Sequence, residues 1–483
     1  MSTQNSPIAS LSTRPALMFL ALFGFLLGIF GTYWDDAWHT EEGRDSFFIA
    51  PHLVLYAGIT LAGGALSLWA LRAVRQTSWR RVLAHPPLMA ALVGVGITFV
   101  AAPADNAWHV AFGRDAVIWS PPHMLGVAGS LAIAAGLLLE LAPASRAGRW
   151  PRAAALVAAS AVLAVCVIPV LEYETDVPQY DLVFYLPVLA TGAAFAFGLS
   201  RLALPGAWAA TSTAFVYAAV MGLLMLLMLA MGMPGPLFPL LLAPAVALDL
   251  TARRLRLVGT ALIFVLTLFL VYVPYLNWLR SDLFLNFEDV VLGLPLAFLG
   301  STAALWLTSR NSQRRRLIAG AAVALSLPTS SALGHDPGQG EELATAEVRA
   351  VASERLATIA VEPNLAADCS ALEPTATVAR RAGQTIRAPL QTVAPCRFQG
   401  RLELPERGRW FLYAEFTRGE ESVETWLPVD ADSQEQVFEA ARALYVPSVV
   451  DDSPVKLAAG VVIYTVFAGA VLALPVLYRR RYA

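Results

Sequence analysis

The sequence predicts an all-α polytopic membrane protein of about twelve transmembrane helices that carries one small extracytoplasmic β-sandwich. Three observations predict it. Hydrophobic residues fill 57% of the 483 positions and charged residues only 14%, against about a quarter charged in soluble domains. Apolar stretches long enough to cross a hydrocarbon core, which takes roughly 20 helical residues, recur along the chain. Arginines gather in every second connection, the pattern of cytoplasmic loops. A net charge of −2 without any long basic run excludes a nucleic-acid partner; the partner these residues expect is the lipid bilayer.

In order, the predicted spans begin near Ala16, Pro51, Pro87, Pro121, Ala153, Leu182, Trp208, Leu237, Leu257, Val290, Leu317 and Lys456. Arginine clusters follow the second (Arg72, Arg75, Arg80, Arg81), fourth (Arg146, Arg149, Arg152), eighth (Arg253, Arg254, Arg256) and tenth (Arg314 to Arg316) spans, and Arg201 follows the sixth. The intervening loops are acidic, so both termini are placed in the cytoplasm of a cell whose inner membrane holds the chain. The eighth span is short and interrupted by Pro239 and Pro244, but the arginines on either side of it require an even number of crossings. Residues 1–334 form the bundle, 335–453 an outer domain and 454–483 a C-terminal anchor.

In the outer domain, 397–404, 409–416 and 423–429 read as strands joined by the turns Pro405-Glu406-Arg407-Gly408 and Arg418-Gly419-Glu420. Strands at this spacing predict a sandwich of about a hundred residues. The run 408–416 is loosely similar to small immunoglobulin-like domains of periplasmic copper-handling proteins. Cys369 and Cys396 are the domain's only cysteines and are expected to form a disulfide in an oxidising compartment. Without methionine, and with His335 at its edge as sole histidine, the domain cannot build a blue-copper site alone. Docking, capping or assembly is its expected role.

Chemistry concentrates in an internal repeat. Residues 35–58 read DDAWHTEEGRDSFFIAPHLVLYAG and residues 105–129 read DNAWHVAFGRDAVIWSPPHMLGVAG, with one residue inserted near Pro122. Each copy starts at the outer end of one span and finishes in the next, giving tandem helical hairpins over 15–75 and 86–142. Asp35 and His39 are four apart, as are Asp105 and His109, so each pair shares a helix face. His52 and His123 open the following helix and can fold back toward that face. Two imidazoles and a carboxylate suit a divalent first-row metal and leave positions open. Arg44–Asp45 and Arg114–Asp115 are placed to orient the ring N–H groups and balance charge. Each feature alone has a plain structural explanation: belt tryptophans (Trp38, Trp108), Arg–Asp salt bridges, helix-start histidines. Two matching sets at one membrane depth point to metal, because ionisable groups there are costly to place.

The spacing D-x3-H-x12-H with an intervening Arg-Asp resembles the copper membrane monooxygenases, the particulate methane and ammonia monooxygenases. The likeness is to the membrane subunit of that family in which an aspartate and two histidines of this motif ligate copper. The resemblance implies that Asp35, His39 and His52 ligate copper within the membrane. Asp105, His109 and His123, at D-x3-H-x13-H, would form a second set. It covers about 50 residues of a chain nearly twice the length expected of that subunit, and it implies copper-type oxygen chemistry without specifying methane or ammonia.

Other candidates are weaker. Met221, Met225 and Met228 share helical spacing and could hand on Cu(I), although such a stripe more often packs. The eleventh span, Arg316 to Gly334, reads like a signal sequence whose cleavage after Gly334 would expose His335 as an N-terminal copper chelator; an uncut linker is the alternative. His85 is expected in solvent, Glu140 to snorkel, and Cys166 to be inert. Three functions remain open: a copper-dependent oxidoreductase subunit served by other membrane subunits and a periplasmic copper or electron donor; a copper transport, storage or insertion protein; and a b-type cytochrome. Haem fits least, since axial ligation needs no carboxylate.

Overall fold

The computed structural model describes residues 15–41, 47–112, 118–174, 177–178, 180–279, 283–309, 340–365, 369–381, 384–431, 434–447 and 454–482. The helices are α1 (Pro15–Glu41), α2 (Ala50–Gln76), α3 (Pro86–Phe112), α4 (Pro121–Leu141), α5 (Arg149–Val167), α6 (Tyr185–Ala203), α7 (Ala209–Ala230), α8 (Leu242–Thr251), α9 (Leu257–Leu279), α10 (Phe287–Thr308) and α11 (Pro454–Tyr482). Among the described residues ten of these are long and apolar enough to cross a membrane, two fewer than the twelve spans expected. The span predicted over 317–334 lies outside the described residues, as does His335. The span predicted from Leu237 is no full helix.

That eighth segment has no regular structure over 233–241 and coils only over α8. Pro234, Pro236 and Pro239 explain the lack of helix, because proline supplies no N–H and obstructs the preceding turn. Non-helical backbone inside a bundle needs partners from elsewhere. Here the Glu174 carboxylate accepts from Leu237 N–H at 3.0 Å, and Tyr272 Oη accepts from Leu240 N–H at 3.1 Å. The segment still returns the chain to its starting end. Asp249 near the end of α8 lies 3.3 Å from Arg201 at the end of α6 and accepts from Thr211 N–H and Oγ1 at the start of α7.

Two hairpins, α1–α2 and α3–α4, pack through backbone-to-backbone contacts at equivalent places. A Cβ on Gly58 would lie 2.6 Å from Gly24 O, and one on Gly129 would lie 2.8 Å from Gly94 O. Gly24 and Gly94 both precede the motif aspartate by eleven residues, and Gly58 and Gly129 close the two motifs. Small residues of this kind let membrane helices approach closely.

The C-terminal domain, expected as a sandwich, is a closed antiparallel barrel. Its order is β1-β2-β5-β4-β3-β6-β7-β8, with β1 (Gly340–Ser353) paired along most of its length to both β2 (Leu356–Asn364) and β8 (Gln436–Pro447). Closure leaves no strand edge exposed. The remaining strands are β3 (Glu373–Arg381), β4 (Gln384–Ala394), β5 (Arg397–Glu403), β6 (Gly408–Arg418) and β7 (Glu421–Ala431). The three predicted strands are β5, β6 and β7, and Gly408 and Gly419 take positive φ at the two predicted turns. Cys369 and Cys396 form the expected disulfide, with Cα atoms 5.4 Å apart.

Alternation along β6 separates two faces. Trp410, Leu412, Ala414 and Phe416 point into the barrel core, whereas Phe411 and Tyr413 join Val378, Trp426, Tyr445 and the bundle residue Val177 in a second buried cluster. Arg409 of β6 also bonds Glu41 at the end of α1 at 2.7 Å. The barrel therefore sits over the end of the bundle where the two repeated motifs lie.

Candidate metal centres

Both copies of the motif fold alike. Asp35 and His39 occupy the last turns of α1, and Asp105 and His109 those of α3. His52 is the third residue of α2 and His123 the third residue of α4, each directly behind a proline in the first helical turn, where a missing N–H costs nothing. The residue inserted in the second copy therefore falls ahead of the helix start and does not displace the histidine.

The geometry is nearly superimposable. Asp35 Oδ1 lies 3.1 Å from His52 Nε2 and 3.9 Å from His39 Nε2. Asp105 Oδ1 lies 3.3 Å from His123 Nε2 and 3.5 Å from His109 Nε2. In both copies the two imidazoles meet edge-to-face with centroids 6.4 Å apart. A metal about 2.1 Å from each donor spaces neighbouring donors by roughly 3–3.5 Å. Each triad, with one ligand atom per residue and all three within 4.8 Å of one another, could hold a metal ion. His39 is buried, and the other five residues are only partly exposed. A cation held between these donors would compensate the two largely buried carboxylates, so the residues present fit a metal site.

The two triads share one cavity. A space of about 120 Å³ between the hairpins is lined by Asp35, His39 and His52 of the first set and by Asp105 and His123 of the second. Its other walls are largely apolar, including Phe25, Ile29, Ile59, Val127 and Ile168. Several water-sized molecules fit, each needing roughly 10–15 Å³ of such space. Asp36 also lines it and is buried, whereas its counterpart in the second copy, Asn106, is exposed. Sequence reasoning missed Asp36, although the divergence is visible in aligning DDAWH with DNAWH.

Other candidates fall elsewhere. Arg44, Asp45, Arg114 and Asp115 lie outside the described residues. Met221 and Met228 are buried and Met225 packs on Gly235, so the three share an inward face of α7, but none lines the cavity. His85 and Glu140 depart from the sequence expectation. They are neither solvated nor snorkelling but form a buried pair, His85 Nε2 to Glu140 Oε2 at 2.7 Å, with Trp69 edge-on to the imidazole at 5.8 Å. The only available signal was that an inner-end carboxylate and a loop histidine flank the same hairpin.

The turns that launch α2 and α4 differ in their support. Phe47 stands against Phe48 and Tyr56 in the first copy. In the second, Ile118 N–H donates to Glu172 at 3.1 Å and Trp119 Nε1 to Pro169 O at 2.7 Å, while Tyr464 of α11 donates to Trp119 O. No family model matches the chain, and neither a curated protein nor a solved structure matches it.

Proposed function

We propose that this is a copper protein of the inner membrane that acts in the oxidation of a small substrate with O2, resembling a copper monooxygenase subunit. The observation that carries this reading is the single cavity onto which both Asp-His-His triads open. Asp35, His39 and His52 would hold one ion, and Asp105, His109 and His123 the other. Copper bound there supplies one-electron redox chemistry and open coordination positions for oxygen or substrate.

The chain's own residues set the conditions for that chemistry. Each aspartate offsets part of the ion's charge, and the neutral imidazoles supply nitrogen donors. Helix positions four apart fix two donors rigidly, and close glycine packing within each hairpin brings the third. The apolar walls limit water and admit a substrate delivered from lipid. The arginine distribution supports placing the barrel and both triads on the extracytoplasmic side, where a periplasmic copper or electron donor and other membrane subunits could reach them.

A copper transport, storage or insertion function is the second reading, favoured by the inward face of Met221, Met225 and Met228. Oxygen consumption by copper-loaded protein with ascorbate as reductant separates the two. Uptake that exceeds that of the His39→Ala/His109→Ala protein supports oxidation, and stoichiometric copper without such uptake supports transport or storage. A Soret band in the purified protein would overturn both in favour of haem.

A further inference from the structure

We infer that Glu172 is a positioning residue for the second metal centre, and that the outer barrel holds it in place through Val177. The inference rests on the metal reading above and assigns a task to two elements that reading leaves idle. Glu172 is buried at 1% exposure near the outer end of the bundle, where an ionisable group needs a reason to persist. Its carboxylate accepts the Ile118 N–H. Ile118 lines the metal cavity, and the turn it opens leads directly into α4 and His123.

Neighbouring residues reinforce the same turn. Trp119 donates to Pro169 O, stacks on Tyr180 at 4.3 Å and meets Tyr173 edge-on at 5.8 Å. Pro169, Glu172, Tyr173 and Tyr180 belong to one stretch between α5 and α6, and all of them bear on 118–119. From that stretch Val177 enters the buried cluster of Phe411, Tyr413, Trp426 and Tyr445 on the barrel. The same stretch of chain thus meets the barrel at Val177 and, at Glu172, the backbone that leads to His123. Donor placement matters because a ligand displaced by a fraction of an ångström no longer shares one ion with its partners, and loss of a supporting contact commonly weakens metal binding about 10–100-fold.

The test uses the full chain in two backgrounds, with Cu(II) as the probe. His39→Ala leaves only the second site intact, and His109→Ala leaves only the first. Affinity is measured by chelator competition, and the electron paramagnetic resonance spectrum reports the coordination of the bound ion. In the second-site protein, Glu172→Ala and Val177→Asp should each weaken Cu(II) about tenfold or more and alter the spectrum. Glu172→Gln, which keeps an oxygen acceptor for Ile118 N–H, should restore most of the affinity. In the first-site protein the same changes should leave affinity and spectrum as they were, which also shows that the bundle has folded. Unchanged second-site binding in Glu172→Ala overturns the inference, as does an equal loss at both sites. Wild-type protein that binds no copper would instead overturn the metal reading itself.

Discussion

His52 and His123 illustrate how much a single residue's place in its helix decides. Each is the third residue of its helix, so the one-residue difference between the motif copies falls ahead of the helix start and leaves the histidine in place. The residue types and the i, i+4 pairing of each set were legible in the sequence, the pairing because helical period fixes it. Asp36 was not, since only the cavity shows that it faces inward. Nor was the His85–Glu140 pair, whose members are 55 residues apart and meet only through hairpin packing. On the barrel, burial pushes the Glu424 carboxyl above the ordinary glutamate range, although a hydrogen bond from Tyr445 at 2.7 Å and the nearby Arg380 oppose the shift. A raised folded value means that this group's contribution to stability is fully present below the unfolded value and is lost as pH rises through the folded one. Glu424→Gln has no proton to lose there. Its melting temperature should therefore gain on that of the wild type as pH rises from about 4 to 7, followed through the barrel's near-ultraviolet aromatic signal. A difference that stays constant with pH would refute the assignment.

At the level of elements, the two hairpins are the units of the repeat, and glycine holds each together. Extra bulk at Gly129 meets Thr98 Oγ1 at 2.3 Å and the Gly94 carbonyl at 2.8 Å, so there is no space for it without separating α3 from α4. Gly129→Leu should therefore lower copper at the second site while sparing the first, as measured in the His39→Ala and His109→Ala proteins. Equal retention at both sites would show that the hairpin contact does not shape the centre. The hydrophobic spans and three of the strands were legible because period and turn residues are local properties. Barrel closure was not, because it depends on β1 pairing with β8, about ninety residues away. The broken eighth segment was visible in its prolines, but the partners that satisfy its backbone, Glu174 and Tyr272, come from distant elements.

Across the whole molecule, the barrel and both triads occupy one end, joined through Arg409–Glu41 and Val177. The arginine pattern predicts that end outside the cytoplasm and Arg254 inside. Reporter fusions at Arg254 and Glu420 should therefore give opposite signals, cytoplasmic at Arg254 and extracytoplasmic at Glu420; a cytoplasmic signal at Glu420 would reverse the arrangement. The duplicated Asp-His-His sets are proposed to be two metal centres facing one cavity. Metal per chain, determined by elemental analysis of the purified full-length protein after copper loading and removal of loose ions, tests it most directly. Two copper ions are expected for the wild type, one each for His39→Ala and His109→Ala, and none for the double variant, with helical content unchanged throughout. Copper retained undiminished by the double variant would contradict the account.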